Sequence, residues 1–278
     1  MASYAYYNGK YDLHERLSVP LSDRALYFGD GVYDVMLVRR GKVYQAEAHY
    51  DRLSLNCGAL ELPFSTSLRE VLSVIHRLCD LSNIIDGVAY IQVSRYSERR
   101  AHEFDSRSEC NLLITVTEYS GHGERSASAI TLPDRRYGMC NLKTLNLLPS
   151  VIALAEAKRQ GADCAIFLRD GTVTEEARSN VAIIKGKVLL THPLDHTVLP
   201  GITRANLLRA ARELGIAVEE RGYSLEEMIS ADEILVSSTT KFLRRVTKLN
   251  GIGTKCADYG LYSALRERLI MDFLHETD

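Results

Sequence analysis

The amino-acid sequence predicts an α/β (α+β) protein of two domains, and two observations carry this prediction. Segments with the periodicity of strands and of helices alternate along most of the 278 residues. A polar, glycine-rich stretch over 119–126 separates two such series. We therefore predict a small N-terminal α/β domain over 1–120, a linker over 121–126 and a larger C-terminal domain over 127–278. A cleft between two domains is a common place for a ligand.

The N-terminal elements follow from local patterns. Residues 32–38 and 42–45, joined by Arg39-Arg40-Gly41, predict a β-hairpin. One helix is expected over 48–60, and a second opens at Ser67, whose spacing from Glu70 is that of a capping box. Runs rich in β-branched and aromatic residues predict two strands, over 88–95 and 111–118.

In the C-terminal half, strands and helices alternate. The apolar periodicity predicts helices over 148–160, 203–214 and 259–273. Glycine at position 161 stops the first of them. Strands are expected over 163–169, 217–221, 233–237 and 244–249, with a hairpin made from 181–184 and 187–191.

The composition is that of an ordinary globular protein. Hydrophobic residues make up 46% and charged residues 25% of the chain, and the formal net charge is -2. We therefore expect no nucleic-acid or membrane partner. The six cysteines form no CxxC pair and no cluster at metal-ligand spacing, which indicates free thiols and no metal. With no signal peptide and no apolar run of ~20 residues, a soluble, cytoplasmic protein is expected.

Lys143 is the first residue with possible chemistry. It stands alone among apolar neighbours in NLKTLNLL, residues 141–148, just before a predicted helix. A lysine that loses its solvation in an apolar environment has a lowered pKa and can attack a carbonyl. Considered alone, a lysine at a strand end more often extends into water.

Other candidates are weak one by one. Residues 199–208 place Pro-Gly before a helix start, where free backbone N–H groups can bind an anion. Ser238 and Thr239 follow a predicted strand, and His49 and Arg52 lie three apart on a helix. Hydroxyl clusters usually cap or turn the chain, and most arginines are solvated.

The order and spacing of these segments is specific. The run EAHYDRL, NLKTLNLLPSVIA, TVTEEARSNV, LPGITR and VSSTT resembles the fold-type IV pyridoxal-phosphate enzymes, and LSDRALYFGDGVYDVMLV resembles their opening. This group includes D-amino acid aminotransferases, branched-chain aminotransferases and aminodeoxychorismate lyases. The resemblance covers nearly the whole chain. It implies two domains, a homodimer, and pyridoxal 5'-phosphate in the cleft between the domains.

Site residues are carried over by position. The resemblance makes Lys143 the Schiff-base lysine and Glu175 the partner of the pyridine nitrogen, which keeps the ring an electron sink. Leu199 would lie against the ring. The residues that the resemblance implies around the phosphate are Arg52, Ile202, Thr203 and Thr239, with Ser238 close by.

The triplet Arg100-Ala101-His102 resembles the carboxylate trap of the D-amino acid aminotransferases, in which a tyrosine, here Tyr33, also takes part. Binding the carboxylate on one side of the site selects the hand of the amino acid, and an arginine fork suits a carboxylate. Tyr96, Ala177 and Arg178 depart from the usual pattern of this branch.

The resemblance therefore implies a ping-pong transaminase. It would pass the amino group of D-amino acids such as D-alanine and D-glutamate to 2-oxo acids such as 2-oxoglutarate. An L-branched-chain aminotransferase is the alternative, followed by an aminodeoxychorismate lyase. Outside enzymology, the alternative is a cofactor-binding or purely structural dimer.

Overall fold

The computed structural model describes residues 3–96, 100–104, 109–119, 121, 123, 126–257 and 260–278. The chain forms two compact units. Unit 1 comprises Met1–Gly121, Leu142–Asn146 and Glu276–Asp278, and unit 2 comprises His122–Asn141 and Leu147–His275. Leu142–Asn146, which contains Lys143, thus groups with unit 1, although it lies beyond the predicted linker. The predicted domain limits stay a prediction.

Unit 1 contains an antiparallel six-stranded sheet in the order β2-β1-β6-β5-β3-β4. Its strands are β1 (Tyr4–Tyr7), β2 (Lys10–Leu13), β3 (Gly31–Arg39), β4 (Lys42–Val43), β5 (Asp86–Arg95) and β6 (Cys110–Glu118). Its helices are α1 (Ala25–Phe28), α2 (Ala46–Ala59) and α3 (Leu68–Ser82).

The two faces of this sheet differ because side chains alternate along a strand. Val32 and Met36 of β3 and Ile91 of β5 point to the core, where they pack with Leu53 of α2 and Ile75 of α3. Residues of opposite parity, including Tyr33 and Tyr90, therefore lie on the other face. One side of the sheet is thus a hydrophobic core and the other carries polar and aromatic groups.

The segment 142–146 is attached to β3 by backbone hydrogen bonds. The Tyr33 amide donates to the Lys143 carbonyl (2.9 Å), and the Leu145 amide donates to the Gly31 carbonyl (3.0 Å). A Cβ at Gly31 would lie 2.5 Å from the Val93 carbonyl oxygen and 2.8 Å from Leu145 Cδ1. Only glycine allows this close approach, so Gly31 sets the position of the lysine-bearing segment.

Unit 2 contains a nine-stranded sheet in the order β12-β11-β10-β13-β14-β7-β8-β9, with β15 beside β14. Additional pairing of β9 with β10 closes six of these strands into a ring. Its strands are β7 (Ser126–Pro133), β8 (Cys164–Arg169), β9 (Thr172–Glu176), β10 (Ser179–Lys185), β11 (Val188–Thr191), β12 (Ala217–Glu220), β13 (Glu233–Ser238), β14 (Phe242–Leu249) and β15 (Ile252–Gly253). Its helices are α4 (Leu148–Arg159), α5 (Ile202–Glu213), α6 (Leu225–Ser230) and α7 (Leu261–Thr277), of which the last two residues belong to unit 1.

The predicted fold class is confirmed, and most predicted elements are present. The β3–β4 hairpin, the capping box at Ser67 and the β10–β11 hairpin are confirmed. Helix α2 begins at Ala46, earlier than predicted, and α7 continues past Phe273 to Thr277. Ser126, predicted as linker, begins β7. The rest of the linker is described only at Gly121 and Gly123.

The other unpredicted elements are β1, β2, β9, β15, α1 and α6. The sequence also makes predictions about the cysteines and about membrane-spanning segments. All six cysteines lie in the described part, and each is a free thiol. Among the helices of the described ranges, none is long and apolar enough to cross a membrane.

The capping box gives a test of the fold. The Ser67 hydroxyl accepts a hydrogen bond from the Glu70 amide, and the Glu70 carboxylate accepts one from the Ser67 amide. Ser67→Ala should lower the free energy of unfolding of unit 1 by about 1 kcal/mol, because one amide of α3 loses its acceptor. Ser65→Ala, at an exposed position just before the helix, should change it by less than about 0.5 kcal/mol. Chemical denaturation measures both, and an equal loss in the two variants would contradict the capping role.

Candidate active site

Lys143 lies beside an aromatic pair in unit 1. Its Nζ is 4.3 Å from the centroid of the Tyr33 ring. Tyr33 stacks on Tyr90 at 5.5 Å, and the Tyr90 hydroxyl donates to Gln92 Oε1 at 2.8 Å. A ring face attracts a cation and leaves one side of the amine open. Lys143 is half-buried, and its contact with the Tyr33 ring orients the amine.

A buried carboxylate on the core side of β3 orients Arg52. Asp34 has no exposed surface, and its two oxygens accept hydrogen bonds from Arg52 Nε and Nη2, both at 2.8 Å. His49 Nδ1 lies 2.7 Å from Asp34 Oδ1. A two-point contact with a carboxylate fixes the plane of a guanidinium. Arg52 is thus held in one orientation before any ligand binds.

The charges of this group determine its protonation. Burial would raise the pKa of Asp34, but hydrogen bonds from His49 and Arg52 and the positive charge of Arg52 outweigh it and hold that pKa well below its usual range. Burial is also the largest influence on His49 and lowers its pKa, against the opposing effect of Asp34. Arg52 and Lys143 lower the His49 pKa further. The group therefore contains an ionised Asp34 and a neutral His49.

In unit 2, Glu175 is buried on β9 with partners on both oxygens. Its Oε1 is paired with the Arg136 guanidinium. Its Oε2 accepts from Asn180 Nδ2 and from the Leu199 amide, each at 3.0 Å. Hydrogen bonds to the charged form of a carboxyl favour that form. The predicted partner of the pyridine nitrogen is therefore held in place.

Arg136 is fixed in turn by a second carboxylate. Asp134, whose side chain is fully buried, accepts from Arg136 Nε at 2.9 Å and from Arg136 Nη2 at 2.7 Å. Arg169 lies 3.1 Å away, and Thr174 donates to the same carboxylate. Burial raises the pKa of Asp134, but the Arg136 contacts and the Arg169 charge hold it below its ordinary value. Arg136 thus joins two buried carboxylates.

The neighbouring Glu176 points to the opposite face of β9 and differs in its surroundings. Its Oε2 accepts from the Ser179 hydroxyl at 2.5 Å and from the Arg178 amide at 3.0 Å. Burial raises its pKa. Of two adjacent glutamates in TVTEE, the one paired with a guanidinium is therefore Glu175, the residue that the sequence predicts.

The start of α5 lies against Asn180. A Cβ at Gly201 would come within 2.0 Å of Asn180 Oδ1, so no other residue fits there without a shift. Ile202 begins the helix, and Thr203 is buried in its first turn. The first amides of a helix have no acceptor within it and favour an anion. Ser238 ends β13, the strand whose Ser237 pairs with Asn180 of β10, and Thr239 follows Ser238.

Arg100 and His102 share one aromatic support. The Arg100 guanidinium carbon lies 5.0 Å from the centroid of the Phe28 ring, and the His102 ring lies 5.3 Å from it. Both side chains are exposed. Tyr33, the third predicted member of the trap, belongs to β3, and within the described residues no hydrogen bond or ring contact joins it to them. Tyr96 donates its amide to the Glu109 carbonyl.

Several residues of these groups were not predicted from the sequence, among them Asp34, Arg136 and Asn180. Asp34 had a readable signal, since VYDVMLV places it at a core-facing position between Val32 and Met36, and a carboxylate there needs a partner. Arg136 had none, because its contacts with Asp134, Glu175 and Thr197 depend on the tertiary fold.

Comparisons with known proteins identify the family of the chain. The family model described as amino-transferase class IV matches residues 31–249. The chain is similar to the D-alanine aminotransferase of Bacillus licheniformis, with 34% identity over 252 residues and 88% of each chain covered. The chain therefore belongs to the class IV aminotransferase family, and the predicted resemblance is confirmed.

Solved structures show the same fold. The branched-chain aminotransferase of Escherichia coli superposes with a TM-score of 0.89 at 23% identity, covering 100% of this chain and 97% of that one. The branched-chain aminotransferase of Thermobaculum terrenum, solved in its PLP form, has a TM-score of 0.83 at 20% identity, with 99% and 96% covered. At these identities the likeness concerns the fold alone.

The neutral His49 predicts a pH dependence of stability. An unfolded histidine takes up a proton at a pH of about 6.5, whereas the folded His49 resists protonation until a lower pH. Below about pH 6.5 the unfolded state therefore binds more protons, and stability is lost as the pH falls. His49→Gln should lose less of its own free energy of unfolding between about pH 7 and pH 5.5 than the unmodified protein does. His76→Gln, at an exposed position on α3, should keep the original slope.

Denaturant titrations at each pH measure these slopes. A slope in His49→Gln as steep as that of the unmodified protein would contradict a lowered pKa of His49 in the folded state.

Proposed function

We propose that this chain is a pyridoxal-phosphate-dependent transaminase that transfers the amino group of D-amino acids to 2-oxo acids. The observation that carries the D-specific part is the pair Arg100 and His102, two nitrogen-bearing groups held against the same Phe28 ring. Two such groups on one short segment can bind a carboxylate from one side. The 34% identity with a D-alanine aminotransferase supports the same substrate class.

The residues present fit the cofactor. The Lys143 amine can bond to its aldehyde carbon, and Glu175, held by Asn180 and the Leu199 amide, can hold a proton on its pyridine nitrogen. Arg52 and the first turn of α5 at Thr203 supply positive charge and amides for the phosphate. When bound, the cofactor supplies an electron sink for the electron pair left at Cα of the amino acid.

Around that sink, the protein's own groups move the proton. The Lys143 amine, when it is not bonded to the cofactor, would take the proton from Cα of the amino acid as a base and would later return a proton as an acid. The Tyr33 ring, 4.3 Å from Nζ, keeps the amine oriented between the two transfers. Leu199, whose amide binds Glu175, would lie against the cofactor ring, with Ile202, Ser238 and Thr239 near the phosphate.

The hand of the substrate depends on its carboxylate. A carboxylate bound on one side of the site would determine which hydrogen of Cα is presented to the Lys143 amine. Arg100, His102 and Tyr33 would bind that carboxylate, and by this they would select the D-amino acid. In the second half of the ping-pong cycle, the carboxylate of the 2-oxo acid would bind to the same three residues.

We further propose a homodimer in which Arg100 and His102 serve the neighbouring copy. Both are exposed in the single chain. Leu148, Val151 and Ile152 also expose apolar side chains on one face of α4. Apolar residues at spacings of three and four on a helix form a contact stripe, which a second copy would cover. Six free thiols support a reducing, cytoplasmic location.

An L-branched-chain aminotransferase is the second candidate, because the fold accommodates that activity in the Escherichia coli enzyme as well. One assay separates the two. With 2-oxoglutarate as acceptor, oxo-acid formation should be fast with D-alanine and slow with L-leucine and L-alanine. Lys143→Ala should lose turnover with every donor. A preference for L-leucine over D-alanine would replace the proposed substrate class with the alternative.

Complementation tests whether the trap acts across the dimer. Lys143→Ala and Arg100→Ala homodimers should each be nearly inactive with D-alanine. After reassortment of equal amounts, about half of the dimers are mixed, and each has one site with an intact lysine and an intact arginine from the other copy. Roughly a quarter of the activity should return. Two distinguishable tags confirm exchange, and complete exchange without recovery would show that Arg100 acts on its own chain.

A further inference from the structure

We infer that Arg24 is a positioning residue that holds the segment bearing Arg100 and His102 in its binding conformation, an inference that rests on the function proposed above. Arg24 is almost fully buried. Its Nη1 donates to the Ala101 carbonyl at 2.5 Å and its Nη2 donates to the His102 carbonyl at 3.2 Å. One guanidinium therefore binds two successive carbonyls of the segment.

The third donor of Arg24 fixes the direction of the guanidinium. Its Nε donates to Asp30 Oδ2 at 2.7 Å. Arg95 Nε donates to the same oxygen at 3.0 Å, and Arg95 also binds the Leu60 and Glu61 carbonyls. Asp30 is thus anchored to the end of β5 and to the chain after α2. Arg24 cannot turn away from Ala101 and His102 without losing its bond to a carboxylate.

Helix α1, which follows Arg24 directly, supplies the aromatic ring that Arg100 and His102 contact. Phe28, four residues after Arg24, contacts the Arg24 guanidinium carbon at 4.6 Å from its ring centroid, together with Arg100 and His102. Arg24 is the N-cap residue of α1 and Phe28 is its last residue, so one short stretch of chain supplies both contacts. Cations gain from contact with a ring face, and more so when solvent is excluded. Arg24 fixes the main chain of the segment, and Phe28 fixes the directions of its side chains.

Asp23, the residue before Arg24, fixes the start of α1. Its Oδ2 accepts from the Tyr7 hydroxyl, the Ser94 hydroxyl and Asn111 Nδ2 at 2.8–3.1 Å, and its Oδ1 accepts from the Ala25 amide at 2.9 Å. The three side-chain donors, Tyr7, Ser94 and Asn111, belong to β1, β5 and β6. The sheet of unit 1 thus sets the position of Arg24. Arg24 in turn sets the position of Ala101 and His102 through its two hydrogen bonds to their carbonyls.

A contact of this kind affects carboxylate binding more than the chemical step. Without Arg24, the segment would sample other conformations, and substrate binding would have to order it. The Michaelis constants for D-alanine and for 2-oxoglutarate should both rise, because both carboxylates use the segment. Cofactor binding involves Lys143, Glu175 and Arg52, none of which Arg24 contacts through a hydrogen bond within the described residues. It should be retained.

The test compares Arg24→Gln, Arg24→Lys and the matched control Arg16→Gln, which changes an exposed arginine. Arg24→Gln should raise KM for D-alanine and 2-oxoglutarate about tenfold or more, with a smaller change in kcat, because two charge-assisted hydrogen bonds are lost. Arg24→Lys, which keeps the charge without the fork, should fall between. Arg16→Gln should match the unmodified enzyme, and cofactor affinity should be equal in all four proteins.

A second measurement is independent of catalysis. Hydrogen–deuterium exchange of the peptide spanning Arg100–Phe104 in the cofactor-free protein should be faster in Arg24→Gln and unchanged in Arg16→Gln. Unchanged KM and unchanged exchange in Arg24→Gln would overturn the inference. Equal loss of kcat and of cofactor affinity would also overturn it, by showing a general role in folding. If Arg24→Gln does not fold, the same comparisons are made with Arg24→Lys, with intermediate changes expected.

The exchange result separates the inference from the proposed function. An unmodified enzyme inactive with D-alanine, combined with faster exchange in Arg24→Gln, would refute the substrate class and leave the clamp intact. An active unmodified enzyme with unaltered exchange and KM in the variant would refute the clamp alone.

Discussion

Burying an ionised carboxylate costs several kcal/mol unless charge or hydrogen-bond donors replace the water it loses. Asp23, Asp34, Asp134 and Glu175 all have buried side chains, and this requirement determines much of the structure around them. Asp34 accepts two hydrogen bonds from the Arg52 guanidinium, and Asp134 accepts two from the Arg136 guanidinium. Asp23 is matched by four neutral donors. The orientations of Arg52, Arg136 and Glu175 therefore follow from how these buried carboxylates are hydrogen-bonded.

This arrangement has a consequence for catalysis. An arginine already held by a carboxylate loses little side-chain entropy when it binds an anion, so it binds with less reorganisation. Glu175, with Arg136 on one oxygen and Asn180 and Leu199 on the other, likewise has one available geometry. Gly201 and Gly31 serve the same end at the backbone, since both stand where any side chain would collide. The proposed site is thus built from groups whose directions are set before a ligand arrives.

Local patterns predicted what depends on neighbouring residues and missed what depends on distant ones. The β3–β4 hairpin and α3 were predicted because a turn and a capping box are written in a few consecutive residues. Strand β7 was missed, since it is stabilised by parallel pairing with β14 near the other end of the chain. The roles of Lys143 and Glu175 were predicted from the resemblance to the family. The residues around them could not be predicted in this way. The pairing of Lys143 with Tyr33 and of Glu175 with Arg136 exists only in three dimensions.

The central claim is that Lys143 bears the cofactor. Reduction of the purified, cofactor-loaded protein with borohydride, followed by digestion and mass spectrometry of every lysine-containing peptide, tests it most directly. The account predicts that the reduced cofactor is found on the peptide containing Lys143, and that Lys143→Ala retains no reducible link. A reduced cofactor on another lysine, for example Lys241 after β13, would contradict it.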